Sequence, residues 1–262
     1  MSDPILTLRH GSILEIALNR PDAYNALNLE MMKQLGEALS SAAVDDSIRG
    51  IVVTGKGKAF CSGGDLKWIS QQADSAGSVL HQLAPQFHLS ILEIRRMEKP
   101  VVAAINGIAA GGGFSLALAC DFRVMGQSAI LRQAYTSSGL SMDGGGSFVL
   151  PRLVGLARAM EIMAFDEPID SAQAFEWGLV TEVVLDPQAL ERALAMLERL
   201  LKTSLHSFAW SKKLMVDSFT NTLESQLELE RKGISNCATH ADGQEGIQAF
   251  IEKRKPNFSK QT

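Results

Sequence analysis

Cysteine is scarce in this chain of 262 residues, and neither acidic nor basic residues are in large excess over the other. The three cysteines (Cys61, Cys120 and Cys237) form no CxxC pair, so we expect neither a disulfide framework nor a metal site. The formal net charge is only −4, which excludes a bulk electrostatic footprint for nucleic acid or an anionic membrane. A reducing, cytoplasmic setting fits this cysteine usage best.

Long hydrophobic runs are also missing. The apolar stretch that begins at Val101 is interrupted by Asn106 and by glycines, so it is too short to span a bilayer. Residues 1–4 lack the positive start and apolar run of a signal peptide. With 46% hydrophobic and 21% charged residues, the composition is that of a soluble enzyme or binding protein.

Hydrophobic periodicity indicates an α/β body followed by a helical carboxy-terminal part. Strands are predicted over 13–18, 50–55, 100–105 and 122–125. Helices are predicted over 29–43, 78–98, 111–119, 156–165, 171–177, 187–201, 204–219, 221–236 and 244–253. Residues suited to helix starts are Asn28, Ser171 and Asp186 as N-caps and Pro187 at a first helical position, and Gly178 suits a stop.

Two glycine-rich turns, over 59–66 and 106–114, each follow a predicted strand and precede a helical pattern. Glycine at such a position lets a backbone approach a ligand and point N–H groups at it. Neither turn matches a phosphate-binding P-loop or a GxGxxG fingerprint, and the chain has no GxSxG elbow of a serine hydrolase. Spacing alone leaves open whether the turns bind a ligand or only connect packed elements.

The chain resembles the crotonase superfamily, the enoyl-CoA hydratases and isomerases, over nearly its whole length. The motifs that carry the resemblance are Leu18-Asn19-Arg20-Pro21, Asn25-Ala26-Leu27-Asn28, Lys58-Ala59-Phe60-Cys61-Ser62-Gly63-Gly64-Asp65-Leu66, Lys99-Pro100-Val101-Val102-Ala103-Ala104-Ile105-Asn106-Gly107, Ala110-Gly111-Gly112-Gly113, Leu150-Pro151-Arg152-Leu153-Val154-Gly155, Trp177-Gly178-Leu179-Val180 and the segment 245–254. The resemblance implies an α/β fold with a ββα superhelical (spiral) core over 1–197 and a helical region over 198–262 for trimerisation and closing of the CoA site.

The same resemblance implies a site for an acyl-CoA thioester. In this family two backbone N–H groups form an oxyanion hole for the thioester carbonyl, and by motif position these are Gly64 and Gly112. Expected CoA-binding residues are Ala26, Ser62, Asp65, Leu66, Lys67 and Lys253, together with the two glycines. Lys253 corresponds to a basic residue that reaches a CoA phosphate, sometimes from a neighbouring subunit. No metal or separate cofactor is expected, and the family assembles as homotrimers or dimers of trimers.

The acid or base is the point at which the chain departs from the hydratases. Their two catalytic glutamates correspond to Ser115 and Tyr135, which are poor general bases at neutral pH. Asp143, eight residues after Tyr135, matches the single aspartate of a subset that includes the phenylacetate-pathway isomerases. We therefore expect an isomerase in which Asp143 moves a proton and Tyr135 shapes the pocket or donates a hydrogen bond.

Three alternatives remain open at this stage. A dehalogenase of the family uses an aspartate with a histidine at the position of His88, which predicts a hydrolytic reaction through Asp143 and His88. Hydration of an enoyl-CoA is a second possibility, and a catalytically weak acyl-CoA-binding paralogue is a third. A lone histidine on a helix is more often a packing or surface residue, so His88 is a secondary candidate only.

Overall fold

The computed structural model describes residues 3–258, which form nine β-strands and ten α-helices. The strands are β1 Ile5–His10, β2 Ile13–Leu18, β3 Gly50–Gly55, β4 Ala59–Cys61, β5 Val101–Ile105, β6 Ile108–Ala110, β7 Phe122–Gly126, β8 Leu131–Arg132 and β9 Glu182–Val184. The helices are α1 Leu29–Val44, α2 Leu66–Ser70, α3 Ala76–Arg96, α4 Gly112–Ala119, α5 Gly146–Phe165, α6 Ser171–Glu176, α7 Ala189–Leu200, α8 Leu205–Asp217, α9 Leu223–Thr239 and α10 Ala241–Ile251.

The strands form two sheets. The larger sheet has the order β1-β2-β3-β5-β7-β9, and every pair in it except β1 with β2 is parallel. The smaller sheet has the order β4-β6-β8 and is also parallel. Strands β3, β5 and β7 each continue directly into β4, β6 and β8, and a helix follows each time. This repeated ββα unit confirms the expected α/β spiral.

The central strands are buried on both faces, which explains why their sequences read as continuous apolar runs. On one face Val52, Val102 and Val124 pack against α7. On the other face their neighbours, such as Ile51 and Ala103, join the main core with α1, α3 and α4. The glycine-rich turns follow β3 and β5 on the carboxyl-end side of these parallel strands. In α/β sheets, ligands bind at that edge.

The structure corrects several predicted helix starts, and it contains two strands of the larger sheet, β1 and β9, that were not predicted. The N-cap of α6 is Asp170 and not Ser171, because its carboxylate accepts from the amide of Gln173 and completes a capping box. Neither Asp186 nor Pro187 starts a helix, since α7 begins at Ala189 after Gln188. Helix α5 begins at Gly146, ten residues before the predicted start, and its dihedral angles break at Gly155 (φ 75°, ψ 160°). The break lies directly before residue 156, where the predicted helix starts.

The carboxy-terminal helices are attached to the core by a buried ion pair. Lys212 on α8 donates to the carboxylate of Asp121 at 2.8 Å and to the carbonyl of Ile94 at 2.8 Å. Asp121 in turn accepts from the amide of Val101 at the start of β5. Within residues 3–258, no helix is both long enough and apolar enough to cross a membrane.

Candidate active site

The two glycine-rich turns lie side by side. A Cβ placed on Gly63 would lie 3.0 Å from the carbonyl oxygen of Ala110 and 3.3 Å from the amide nitrogen of Gly112. Gly63 has φ +102°, a conformation that glycine adopts readily and other residues rarely adopt. Pairing of β4 with β6 holds the turns in this contact. The pattern of strand, glycine turn and helix therefore places Gly64 and Gly112 in one site.

The amides of Gly64 and Gly112 are available to a ligand. Leu27 donates its amide to the carbonyl of Gly63 at 2.7 Å and accepts from the amide of Asp65 at 2.9 Å, which directs the amide of Gly64 away from Leu27. Gly112 is the first residue of α4, so its amide has no partner within the helix. Neither amide donates to a protein acceptor in the described part of the chain. Both can hold a negatively charged oxygen.

A cavity of about 340 Å³ opens beside these amides. Its wall is mostly apolar and includes one face of α3, with Leu80, Leu83 and Phe87 at helical spacing. Of the predicted site residues, Ser62, Gly64, Leu66, Gly112, Tyr135 and Asp143 all line it. Among its lining residues Asp143 is the only one with a carboxylate. The arrangement suits an apolar acyl group with a carbonyl at one end and one acid or base at another.

Asp143 lies on a turn that requires glycine after it. Gly144 has φ +61°, and a Cβ there would lie 2.2 Å from Cε1 of Phe87. Gly145 has φ +73° and leads into α5, and the amide of Gly146 donates to the carbonyl of Asp143 at 3.2 Å. The glycine run thus lets this turn pack closely on α3, and α3 itself lines the cavity.

The hydroxyls of Ser115 and Tyr135 form hydrogen bonds with the backbone carbonyl of Asp143. The hydroxyl of Ser115 donates to the carbonyl oxygen of Asp143 at 2.7 Å, and the hydroxyl of Tyr135 lies 3.2 Å from the same oxygen and 3.0 Å from Ser115 Oγ. Both side chains are buried. Burial raises the pKa of Tyr135, and the hydrogen bond with Ser115 opposes that effect only in part. The hydroxyl of Tyr135 is therefore protonated at neutral pH and can donate a hydrogen bond.

The structure brings His88 to Asp143. Nε2 of His88 lies 2.6 Å from Oδ1 of Asp143, and both side chains are partly exposed. His88 is on α3, one residue after Phe87, and it does not line the cavity itself. Its contact with the site thus runs through the Asp143 carboxylate.

Asp65 has a structural role at the turn that contains Gly64. Its carboxylate accepts from the amide of Trp68 at 2.9 Å, which caps α2, and from the guanidinium of Arg20 at 2.8 Å. The same guanidinium also donates to the carbonyl of Ala26. Ala26 and Asp65 do not line the cavity themselves. Their neighbours Leu27 and Gly64 line it, and the hydrogen bonds of Ala26 and Asp65 hold these neighbours in place.

The two predicted basic contacts lie outside the cavity. Lys67 is exposed on α2, and Lys253 is exposed just beyond the end of α10. Cys61 neighbours the site but is fully buried, and burial raises its pKa to about 12. A thiol with that pKa is protonated at neutral pH, so it is not a nucleophile.

Sequence reasoning missed the apolar wall of the cavity. Met32, Ile69, Leu80, Leu83 and Phe87 line it, and none of them is among the predicted site residues. The apolar periodicity of residues 78–98 could have indicated the wall residues on α3, because it defines the apolar face of that helix. That face is directed to the site only because α3 packs across α1 and α4, and the sequence of α3 alone does not define this packing.

The family model for enoyl-CoA hydratase/isomerase matches residues 9–261. The chain is 35% identical to the 1,2-epoxyphenylacetyl-CoA isomerase of Escherichia coli K12, over 99% of both chains. It is 40% identical to a probable enoyl-CoA hydratase of Rhodobacter capsulatus, over 93% of both. A crystal structure of an enoyl-CoA hydratase from Polaromonas sp. JS666 superimposes with a TM-score of 0.91 at 39% identity, over 97% of this chain and 98% of that one.

These matches define an enzyme of a family that acts on acyl-CoA substrates. The chain belongs to the enoyl-CoA hydratase/isomerase family, the crotonase superfamily. Its similarity to the isomerase of E. coli extends over the full length.

Proposed function

We propose that the protein is an enoyl-CoA isomerase that shifts a double bond along the acyl chain, with Asp143 as its acid and base. The observation that carries this proposal is the single carboxylate of the cavity. Asp143 lines it together with Gly64 and Gly112, and no second carboxylate does. A double-bond shift needs only one group that takes a proton from one carbon and returns it to another.

The reaction proceeds through an enolate. In a 3-enoyl-CoA the carboxylate of Asp143 removes a proton from C2, and the electron pair moves into the thioester carbonyl and the adjacent double bond. The amides of Gly64 and Gly112 stabilise the negative oxygen of this dienolate, an effect worth about 3 kcal/mol for one such donor. The protonated Asp143 then delivers its proton to C4, which gives the conjugated 2-enoyl-CoA and restores the carboxylate.

The residues at the glutamate positions of the hydratases support an isomerase over a hydratase. Hydratases of the family activate water with two glutamates. Here both positions hold neutral side chains, Ser115 and Tyr135, whose hydroxyls bond to the carbonyl oxygen of Asp143, so neither can act as the second carboxylate. The name of the E. coli relative, an isomerase of a ring-bearing acyl-CoA, points in the same direction. The apolar walls supplied by Leu83, Phe87 and Met142 suit an uncharged acyl group, in a straight chain or a ring.

Spectroscopy of a 3-enoyl-CoA tests this proposal. We expect the absorbance of a conjugated enoyl thioester to appear on mixing with the enzyme, with no oxygen from ¹⁸O-labelled water in the product. Incorporation of ¹⁸O into a 3-hydroxyacyl-CoA would identify a hydratase instead. Tight binding of the substrate without any turnover would identify an acyl-CoA-binding paralogue.

Hydrolytic chemistry is the second candidate, because His88 and Asp143 are in contact. In that reaction the Asp143 carboxylate attacks an activated ring carbon and expels a halide, and water activated by His88 then hydrolyses the resulting ester. The contact Nε2–Oδ1 of 2.6 Å supports a joint role for the two groups. Release of chloride from 4-chlorobenzoyl-CoA distinguishes this reaction, and an isomerase releases none.

Self-association is part of the same proposal. Apolar side chains stay exposed on α5, α9 and α10, among them Leu156, Phe165, Ile234 and Phe250. Exposed apolar side chains grouped on a protein surface are typical of subunit interfaces. Light scattering of the purified protein is expected to give the mass of a trimer or a multiple of it, and contact of Lys253 with CoA would then come from that assembly. A monomeric mass would contradict this part.

A further inference from the structure

A second cavity, of about 420 Å³, lies between the carboxyl end of α3 and the helix α8. It shares no lining residue with the acyl cavity. Arg95, which lines it, is eight residues beyond Phe87 on α3, or about 12 Å along the helix axis. The cavity is therefore separate from the site of the proposed reaction.

Four cationic side chains line this cavity. Arg95, Arg96 and Lys213 contribute to it, and in the described part of the chain none of the three forms a hydrogen bond or an ion pair. Lys212 lines it too, but its ammonium is held by Asp121. Two carboxylates, Glu98 and Asp217, also line the cavity. Positive charge is thus in excess here, although the chain as a whole carries −4.

Like charges lie close together around this cavity. Burial lowers the pKa of Lys212 and the nearby charge of Arg95 adds to that effect, whereas the Asp121 carboxylate opposes it. Unpaired cations grouped around a concavity bind anions well, because arginine donates in a planar fork that matches phosphate oxygens. Arg95 and Arg96 also lie in the last turn of α3, where they stabilise the helix dipole, so a control has to separate that effect from ligand binding.

An aromatic wall adds a second kind of contact. The indole N–H of Trp210 donates to the side chain of Asn236 at 3.0 Å, which fixes the ring against the cavity. Lys213 lies 5.7 Å from the ring centroid. Met97 and Ala209 supply an apolar floor. The cavity thus offers an aromatic side chain and cationic donors side by side.

We propose that this cavity, between α3 and α8, binds an organic phosphate that carries a flat ring, such as a free nucleoside diphosphate. Its phosphates contact Arg95, Arg96 and Lys213, and its base lies against Trp210. The site is distinct from the one that holds the acyl-CoA.

Titration calorimetry with ADP tests the proposal on the full chain. We expect ADP to bind and adenosine, which lacks the phosphates, to bind at least about tenfold more weakly. The double variant Arg95→Gln/Arg96→Gln is expected to lose at least about tenfold in ADP affinity. Arg199→Gln is the matched control, because Arg199 also lies in the last turn of a helix but lines neither cavity. Its ADP affinity is expected to equal that of the wild type.

Two further measurements keep the test decisive. If the double variant is unfolded by circular dichroism, Lys213→Gln replaces it, since Lys213 is exposed and unpaired. Affinity for butyryl-CoA, which cannot be isomerised, is expected to be unchanged in whichever variant is used. The proposal is overturned by absence of ADP binding, by equal binding of ADP to variant and wild type, or by a parallel loss of butyryl-CoA affinity, which would assign the cavity to the nucleotide of CoA.

Discussion

The imidazole of His88 donates a hydrogen bond of 2.6 Å to the carboxylate of Asp143, across 55 positions of the chain. The bond joins helix α3 to the glycine turn that starts α5. It holds the one carboxylate of the acyl cavity in a defined orientation. Proton transfer between two carbons depends on such an orientation, because small displacements of a catalytic group lower the rate steeply.

His88→Ala is expected to lower kcat about tenfold and to leave KM near its wild-type value, because the carboxylate loses a partner that orients it. His88→Gln, which retains a donor, is the matched variant and should recover part of the loss. Steady-state kinetics on a 3-enoyl-CoA measure both. Loss of turnover in His88→Ala as large as in a variant of Asp143 would mean that His88 itself transfers the proton or activates water.

Gly64 offers a test of the oxyanion hole. Gly64→Pro removes the amide hydrogen and should lower kcat by about 10²- to 10³-fold. Gly64→Ala keeps the amide, and its Cβ would meet only Cδ1 of Ile69, at 4.0 Å, so its kcat should stay close to that of the wild type. Kinetics of the two variants, with circular dichroism to check folding, make the comparison. Equal activity of the proline and alanine variants would remove the Gly64 amide from the mechanism.

Ser115 and Tyr135 should behave as a coupled pair, because both hydroxyls converge on the carbonyl oxygen of Asp143. Ser115→Ala and Tyr135→Phe are each expected to lower kcat several-fold. The fold-loss in kcat of the double variant should be smaller than the product of the two single fold-losses. Additive losses would contradict a shared role.

The pH profile gives a separate check on Tyr135. Its pKa is raised by burial, so the hydroxyl remains protonated up to at least about pH 10. The alkaline limb of kcat below that pH should therefore be the same in Tyr135→Phe and in the wild type. A limb that disappears in the phenylalanine variant would show that Tyr135 titrates during turnover.

The ion pair of Lys212 and Asp121 should matter for stability and not for chemistry. Both side chains are nearly inaccessible to solvent (6% and 10% exposed), so Lys212→Met leaves a buried carboxylate without its partner. We expect a loss of about 3 kcal/mol or more in the free energy of unfolding. Adding Asp121→Asn to that variant removes the isolated charge and should restore part of the loss. Denaturant titration of both variants measures their free energies of unfolding. If Lys212→Met were as stable as the wild type, the stabilising role of the ion pair would be contradicted.

Strands β2, β3, β5 and β7 could be predicted from the sequence because they are almost wholly buried and read as apolar runs, whereas β1, which is as long as β2, is mostly exposed and has no such pattern. The strands of the smaller sheet could not, since β4, β6 and β8 have only two or three residues each and show no period. Helix starts failed where an earlier residue supplied the better cap, as Asp170 does for α6. Local preference and tertiary contact compete most closely at those ends.

The site divides in the same way. Glycine turns after strands are visible in the sequence, so Gly64 and Gly112 could be proposed, and the resemblance to the family added Asp143. That Ser115 and Tyr135 bond to the carbonyl of Asp143 was not predictable, because the contact depends on how α4 and the segment after β8 pack against the Asp143 turn. The spacing of these residues along the chain contains no information about such packing.

The central claim is that Asp143 is the sole acid and base of the reaction, and Asp143→Asn tests it most directly. The variant keeps the shape of the side chain but cannot accept the proton, so we predict a loss of at least about a hundredfold in kcat with a 3-enoyl-CoA, while the Kd for butyryl-CoA is unchanged. The measurement is the initial rate of conjugated enoyl thioester formation by the two proteins at saturating substrate. A rate in Asp143→Asn equal to that of the wild type would contradict the account.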